Sequence, residues 1–346
     1  MYKSRKAQIQ ELFDGSPSFR LKQIDRASFD TNIAVWSEVS TLPLDMRSKL
    51  EEHVPWMSVK KHSLYQSKNE DTFKAVLETA DKKYFETVLM ANSKGQWTIC
   101  VSSQIGCAMR CNFCATGTMG LKRSMGADEI IDQYRFWKGF LLEHPDFPQR
   151  ISNVVFMGMG EPLANYENVK EAIHTWLDYT DIGPTKIVVS TVGILPQLKK
   201  LLSDPDWPPV RIAISLHSAD QKKREEIVPT TVPEFIKRLA QWSHEYQSTL
   251  GNRMHHLTFE YTLIDGVNDT EELAHELGQY VKKTAVTKVN VIPLNPVSGK
   301  KYTRSGKERV ERFKEILRGY DIDVTQRKTM GDDINAACGQ LALKSE

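Results

Sequence analysis

Three of the chain's five cysteines fall within one eight-residue stretch, CAMRCNFC, as Cys107, Cys111 and Cys114. Thiols separated by three and then two residues point to metal ligation, because soft anionic sulfur is what zinc and iron–sulfur clusters select. A structural zinc site is closed by four protein ligands, whereas this run holds a single Cys-x-x-Cys pair. Three thiolates suit three corners of a [4Fe–4S] cube, leaving the fourth iron open to a small molecule. An open iron implies chemistry rather than scaffolding. The alternative is a zinc knob that borrows His217 or Cys338 as its fourth ligand.

Five cysteines in 346 residues do not make a disulfide framework, and an odd count favours metal or catalytic thiols in a reducing compartment. The N-terminal MYKSRKAQIQELFDG has no apolar run, and no stretch approaches the eighteen or so apolar residues of a membrane span. The expectation is a cytoplasmic protein with no membrane contact. Forty-six Lys and Arg against 44 Asp and Glu leave a net charge of +2, so bulk charge announces no polyanionic partner. The densest basic run, Gly299 to Lys314, carries seven basic and two acidic residues. It is open to nucleic-acid contact or to a reading as a solvated face.

The elements that must position these residues follow a clear alternation. Six short β-branched runs start at Trp97, Asn153, Lys186, Val210, Leu257 and Lys288. Helical periodicity fills residues 127–142, 166–178, 195–203, 232–249 and 269–284 between them. That pattern predicts an α/β protein with a parallel sheet, an open (β/α)6 partial barrel over residues 91–325. Residues 1–90, including TFKAVLETADKKYFETVLM, predict a small helical module ending in a hairpin strand, and residues 326–346 a mobile C-terminal loop.

Parallel barrels place their working residues at the C-terminal ends of strands. The first strand here runs into the three-cysteine loop. Later ones end in Gly158 to Glu161, Ser190, Ser215 with His217, and Asn295. The glycines of GMGE would let a ligand approach the backbone, with Glu161 available to an ammonium group. His217 also reads as a satisfied core histidine.

CAMRCNFC resembles the CxxxCxxC signature of radical S-adenosylmethionine (SAM) enzymes. With CVSSQIG before it and FMGMGEPLAN, STVGI, SLHS, IPLNP and GDDINAACGQL after it, the chain from Glu86 to Leu341 is similar to the radical SAM adenine methyltransferases of the RlmN and Cfr type. The resemblance implies one [4Fe–4S] cluster on Cys107, Cys111 and Cys114, with SAM chelating the open iron. It implies SAM contacts at Gly160, Glu161, Ser190, Ser215, Leu216, His217 and Asn295. It makes Cys338 the residue that takes a methyl group from a first SAM, and a radical from a second SAM activates that methyl for addition to adenine. Cys100 would resolve the enzyme–RNA adduct by forming a disulfide with Cys338, and Glu86, near an apolar mouth, would accept the proton from the ring carbon. Such chemistry suits C2 and C8 of adenine, electron-poor carbons that cannot attack a methyl group but accept a carbon radical.

The substrate so implied is 23S rRNA, with tRNA beside it, methylated at C2 in preference to C8. The resemblance also implies an electron donor such as flavodoxin or ferredoxin, a monomeric enzyme, and RNA docking by the N-terminal module. Two other classes stand beside this one. A radical SAM enzyme of small molecules leaves Cys100 and Cys338 without roles, and an RNA-binding metalloprotein without activity leaves the strand-end polar residues unexplained.

Overall fold

The computed structural model describes residues 3–92, 94–251 and 256–343; the last three residues of the expected C-terminal loop lie outside them. Three helices open the chain, α1 (Arg5–Leu12), α2 (Ser18–Ala27) and α3 (Leu44–His53). They enclose an apolar cluster of their own around Ile24, Trp36 and Leu50. Ser4 caps α1 by accepting a hydrogen bond from the Ala7 N–H.

The next segment corrects part of the sequence expectation: a strand closes it as expected, but the residues before that strand are not helical. TFKAVLETADKKYFETVLM is rich in good helix formers, yet it forms two strands, β2 (Thr72–Thr79) and β3 (Tyr84–Ala91), after β1 (Val59–Gln66). Strand pairing decides the matter: β2 lies between β1 and β3, and nearly all of its side chains are buried. Lys82 makes the connecting turn at φ 60°. The helical module therefore ends at His53, and residues 59–91 extend the barrel's sheet instead of belonging to an N-terminal module that runs to residue 90.

Strand β4 (Trp97–Cys100) leads to a small ribbon of β5 (Gln104–Ile105) and β6 (Arg123–Ser124), with the short helix α4 (Ala115–Thr118) between them. Then come α5 (Ala127–Leu142), β7 (Ile151–Phe156), α6 (Tyr166–Tyr179), β8 (Ile187–Thr191), α7 (Leu195–Ser203) and β9 (Arg211–Ser215). The chain continues through α8 (Gln221–Ile227), α9 (Phe235–Leu250), β10 (Leu257–Leu263), α10 (Glu271–Lys282), β11 (Lys288–Pro293), α11 (Lys307–Arg318) and β12 (Asp323–Gln326). Among the described residues one sheet runs β1-β2-β3-β4-β7-β8-β9-β10-β11-β12. It is antiparallel as far as β4 and parallel from there on.

The six expected parallel strands are all present, and β12 adds a seventh, too short and polar to announce itself in the sequence. Because β4 and β7–β11 run parallel, their C-terminal ends open at one mouth. Behind it the core is apolar, with Trp137, Trp176 and Phe259 wholly buried.

A buried ion cluster fastens the helical module to α5. Asp132 bonds Arg5 at 2.6 Å and Arg135 at 2.7 Å, and it also accepts from the Ser58 N–H and hydroxyl. Burial alone would raise the Asp132 pKa, but the two guanidinium groups hold it down at about 2. Among the described residues no helix is long and apolar enough to cross a membrane.

Candidate active site

The cysteine loop is shaped by backbone bonds. Cys107 N–H donates to Gly120 O at 3.2 Å, Cys114 N–H to Cys111 O at 3.1 Å, and Asn112 N–H to Ile227 O at 2.9 Å, which ties the loop to α8. Gly117 is needed because a Cβ there would sit 2.9 Å from Cys111 O. All three cysteines line one cleft at the barrel mouth. Burial pushes the Cys107 thiol up to about 12 and the Cys111 thiol higher, with repulsion between neighbouring thiols adding to it. Among the described residues no three His, Cys, Asp or Glu side chains converge as they would around a single metal ion. The three thiols lie close enough on the cleft to feel one another's charge.

The strand ends deliver most of the predicted residues to the same cleft. Gly160 adopts φ 100°, and a Cβ would lie 2.5 Å from Gln104 Cβ, so only glycine fits. Glu161 lines the cleft but is not a free anion: Oε1 accepts from Leu163 N–H at 2.9 Å and Oε2 from Val192 N–H at 2.8 Å. Burial raises its pKa, and these hydrogen bonds pull it back. The Ser190 and Ser215 hydroxyls face each other at 3.3 Å.

His217 sits at φ 58°, in contact with the Phe113 ring edge-on at 4.8 Å. Its Nδ1 accepts from Thr262 N–H at 3.1 Å, which leaves the ring proton on Nε2. Burial, and then Arg224, depress its pKa to about 3, so the ring is neutral. Leu216 is the exception among these residues: its side chain is packed in the core and not on the cleft, its N–H donates to Glu260 O at 3.0 Å and its carbonyl accepts from Arg224.

Asn295 does a job the sequence did not announce. Its Nδ2 donates to Cys338 O at 3.1 Å, while Oδ1 accepts from Arg304 and Thr329. The C-terminal loop is thereby drawn over the cleft, and Ala115 N–H and the Thr116 hydroxyl hold it by donating to Gly339 O at 2.7 Å and Leu341 O at 2.6 Å. Cys338 reaches solvent along the cleft, yet the protein packed around it raises its thiol pKa, with Arg327 pulling the other way. Cys100 is buried on β4 away from the cleft lining, a free thiol like Cys338 and close enough to feel its charge. Glu86 also lies off the cleft. Its surroundings are not the apolar mouth expected of it, for it pairs with Lys74 at 2.9 Å.

Comparison with known proteins agrees with this geometry. The family model described as the Radical SAM superfamily matches residues 101–277. The chain is 38% identical over 333 residues to the "Probable dual-specificity RNA methyltransferase RlmN" of Aquifex aeolicus, covering 94% of this chain and 92% of that one. It is 39% identical over 327 residues to the protein of the same name in a Picosynechococcus species, covering 94% and 90%. The solved structure of a radical SAM methyltransferase from Sphaerobacter thermophilus superposes with a TM-score of 0.88 at 34% identity, over 99% of both chains.

The chain belongs to the radical SAM superfamily, among its RlmN-like methyltransferases. Radical SAM membership implies a [4Fe–4S] cluster and SAM. The cleft fits both. Its crowded thiols gain by exchanging protons for metal, and its glycine-lined strand ends leave backbone exposed to a ligand.

Sequence reasoning missed several residues that shape this radical SAM site. Arg224, wholly buried, donates to Val192 O, Ser215 O and Leu216 O and so binds the ends of β8 and β9 together. Gln104 accepts from Glu161 N–H at 2.9 Å. Glu260, on the cleft, is held by Arg327 at 2.9 Å and by Asn290 at 2.8 Å. Gln104 stands within CVSSQIG but without a role of its own there, Arg224 and Glu260 belong to no short motif, and only the alternation that points Glu260 inward among apolar neighbours hints at that residue. The basic run from Gly299 to Lys314 is partly spent inside the protein. Arg309 pairs with Asp265 and Asp269, Arg312 with Glu271, and Lys314 with Glu311.

Proposed function

We propose that this chain methylates RNA at an adenine ring carbon, C2, in 23S rRNA and tRNA, through an S-methyl group carried on Cys338. The observation that carries this reading is the docking of the Cys338 loop on the cysteine loop, Gly339 O on Ala115 N–H at 2.7 Å, within one cleft. The relatives' printed name, a dual-specificity RNA methyltransferase, supports RNA as the substrate class.

Cys107, Cys111 and Cys114 would hold the cluster by three thiolates and leave one iron for SAM. The cluster, when bound, supplies the electron that turns SAM into a source of a carbon radical. Gly160, Glu161, Ser190, Ser215, His217 and Asn295, which line the cleft, would orient SAM. Cys338, a thiol nucleophile open to the cleft, takes the methyl group from a first SAM, with S-adenosylhomocysteine leaving; the carbon radical drawn from a second SAM would remove one hydrogen from that methyl, and the methylene left on Cys338 would bond the adenine carbon, the adduct giving one electron back to the cluster. Glu86 takes the proton that the ring carbon gives up. The Cys100 thiolate then attacks the Cys338 sulfur and forms a disulfide as the Cys338 S–CH2 bond breaks; that bond's electron pair stays on the adenine side, where a proton completes the methyl group of the released base. Electrons come from a small carrier such as flavodoxin or ferredoxin.

The target adenine has to leave its stack to enter the cleft. The test is anaerobic reconstitution with iron and sulfide, then reaction with SAM, a reductant and an rRNA fragment. Peptide mass spectrometry should find methyl on Cys338, and nucleoside analysis should find 2-methyladenosine. An unmodified Cys338 in an enzyme that cleaves SAM would refute the reading, and 8-methyladenosine would overturn the choice of ring carbon.

A further inference from the structure

The C-terminal loop is fastened on two sides. Toward the cleft, Ala115, Thr116 and Asn295 hold residues 338–341. On the other side, Lys68 N–H in the β1–β2 turn donates to Asp333 at 2.8 Å and Lys74 Nζ on β2 to Asn335 O at 3.3 Å. The β2–β3 hairpin also holds the loop's end, where Glu86 Oε2 accepts from Ala342 N–H at 2.8 Å and Leu343 N–H at 3.3 Å. Glu86 Oε1 is taken by Lys74 at 2.9 Å.

A carboxylate has about four acceptor positions, and three are filled here by groups of this chain. Glu86 is 2% exposed. Leu341 lines the cleft, and the two residues after it cover the carboxylate. A proton acceptor in that state cannot meet a base lying in the cleft. The cover carries backbone strain, since Leu343 is held at φ 49°, a left-handed conformation that a leucine seldom adopts.

We propose that Lys74 and Glu86 form a latch for the Cys338 loop, in which the Ala342 and Leu343 N–H groups occupy the Glu86 carboxylate until the RNA substrate displaces them. Lys74 is then a positioning residue: it keeps the carboxylate in place in both states and ties Asn335 to the hairpin in the closed one. The inference rests on the reading of Glu86 as proton acceptor. It adds that the same carboxylate governs when the methyl-carrying loop is closed, so that loop opening and exposure of the base are one event.

The test is a chain ended after Leu341, prepared as the reconstituted holoenzyme. Hydrogen exchange of amides 331–341 should quicken about tenfold or more, since the two N–H groups that Ala342 and Leu343 give to Glu86 are lost together. KM for the rRNA fragment should fall about threefold or more because the tail no longer competes, with kcat within about twofold and Cys338 still methylated by SAM. Lys74→Met should quicken the same amides, and Lys74→Arg should restore them. Unchanged exchange together with an unchanged or raised KM in the shortened chain would overturn the latch. Glu86→Gln separates the two readings. If it keeps full RNA methylation while the shortened chain still exchanges faster, the proton-acceptor role fails and the latch of the loop stands.

Discussion

Replacing Arg224 by methionine tests how the cleft is built. The guanidinium donates to Val192 O at 2.6 Å, Leu216 O at 3.0 Å and Ser215 O at 3.2 Å, and lies 3.7 Å over the Phe235 ring. Among the described residues no carboxylate pairs with it. Methionine retains the apolar stem and removes the donors. Three buried carbonyls would lose a charged donor, at about 2 kcal/mol each, or about 6 kcal/mol in all. Removing a buried charge offsets part of this. Burial depresses the Arg224 pKa from 12.5 to about 10, which corresponds to about 3 kcal/mol of strain in the charged form. The net expectation is a loss of about 3 kcal/mol, read from denaturant melts of the anaerobic holoenzyme.

Because Val192 and Ser215 line the cleft, SAM should also bind more weakly to the Met variant in equilibrium dialysis, by about tenfold. Lysine should not rescue either quantity, since a single ammonium cannot reach carbonyls on two strand ends in the arginine's fork. A Met variant within about 1 kcal/mol of wild type, with unchanged SAM affinity, would mean that the strand ends hold themselves and that the brace is incidental.

Two further outcomes follow from the cleft. Gly160→Ala forces a Cβ to within 2.7 Å of Gln104 N and a φ of 100° on a residue with a side chain. It should cost about 2 kcal/mol or more in denaturant melts and abolish measurable SAM binding; a variant that melts and binds like wild type would contradict the close approach. His217 has a folded pKa of about 3 against an ordinary 6.5. Between those values the unfolded chain binds a proton that the folded one refuses, so stability is complete above about pH 6.5 and falls as the pH drops. His217→Gln removes that dependence, and the difference between wild type and variant should shrink by about 2 kcal/mol from pH 7 to pH 5; a constant difference would show that the ring is already protonated or exposed.

Much of this protein was legible in its sequence because the signals are local. Helical periodicity gave α5 its limits at Ala127 and Leu142, and β-branched runs located β4 and β7–β11, since a period of 3.6 or 2 is fixed within one element. The first strand of the β2–β3 hairpin departs from expectation for the complementary reason: its residues favour helix one by one, and only pairing with β1 and β3 makes them a strand.

The cysteine spacing and the strand-end residues were set by the chain alone, because a cluster loop needs its thiols a few residues apart and a barrel brings its strand ends together wherever the strands are parallel. Tertiary structure decided what those groups touch. Glu86 meets Ala342 across 256 positions of sequence, and Arg224 reaches Val192 across 32. No periodicity records such meetings, since contacts between distant segments arise only when separately coded elements pack, and that is where a lone glutamate became an anchor for the loop that carries Cys338.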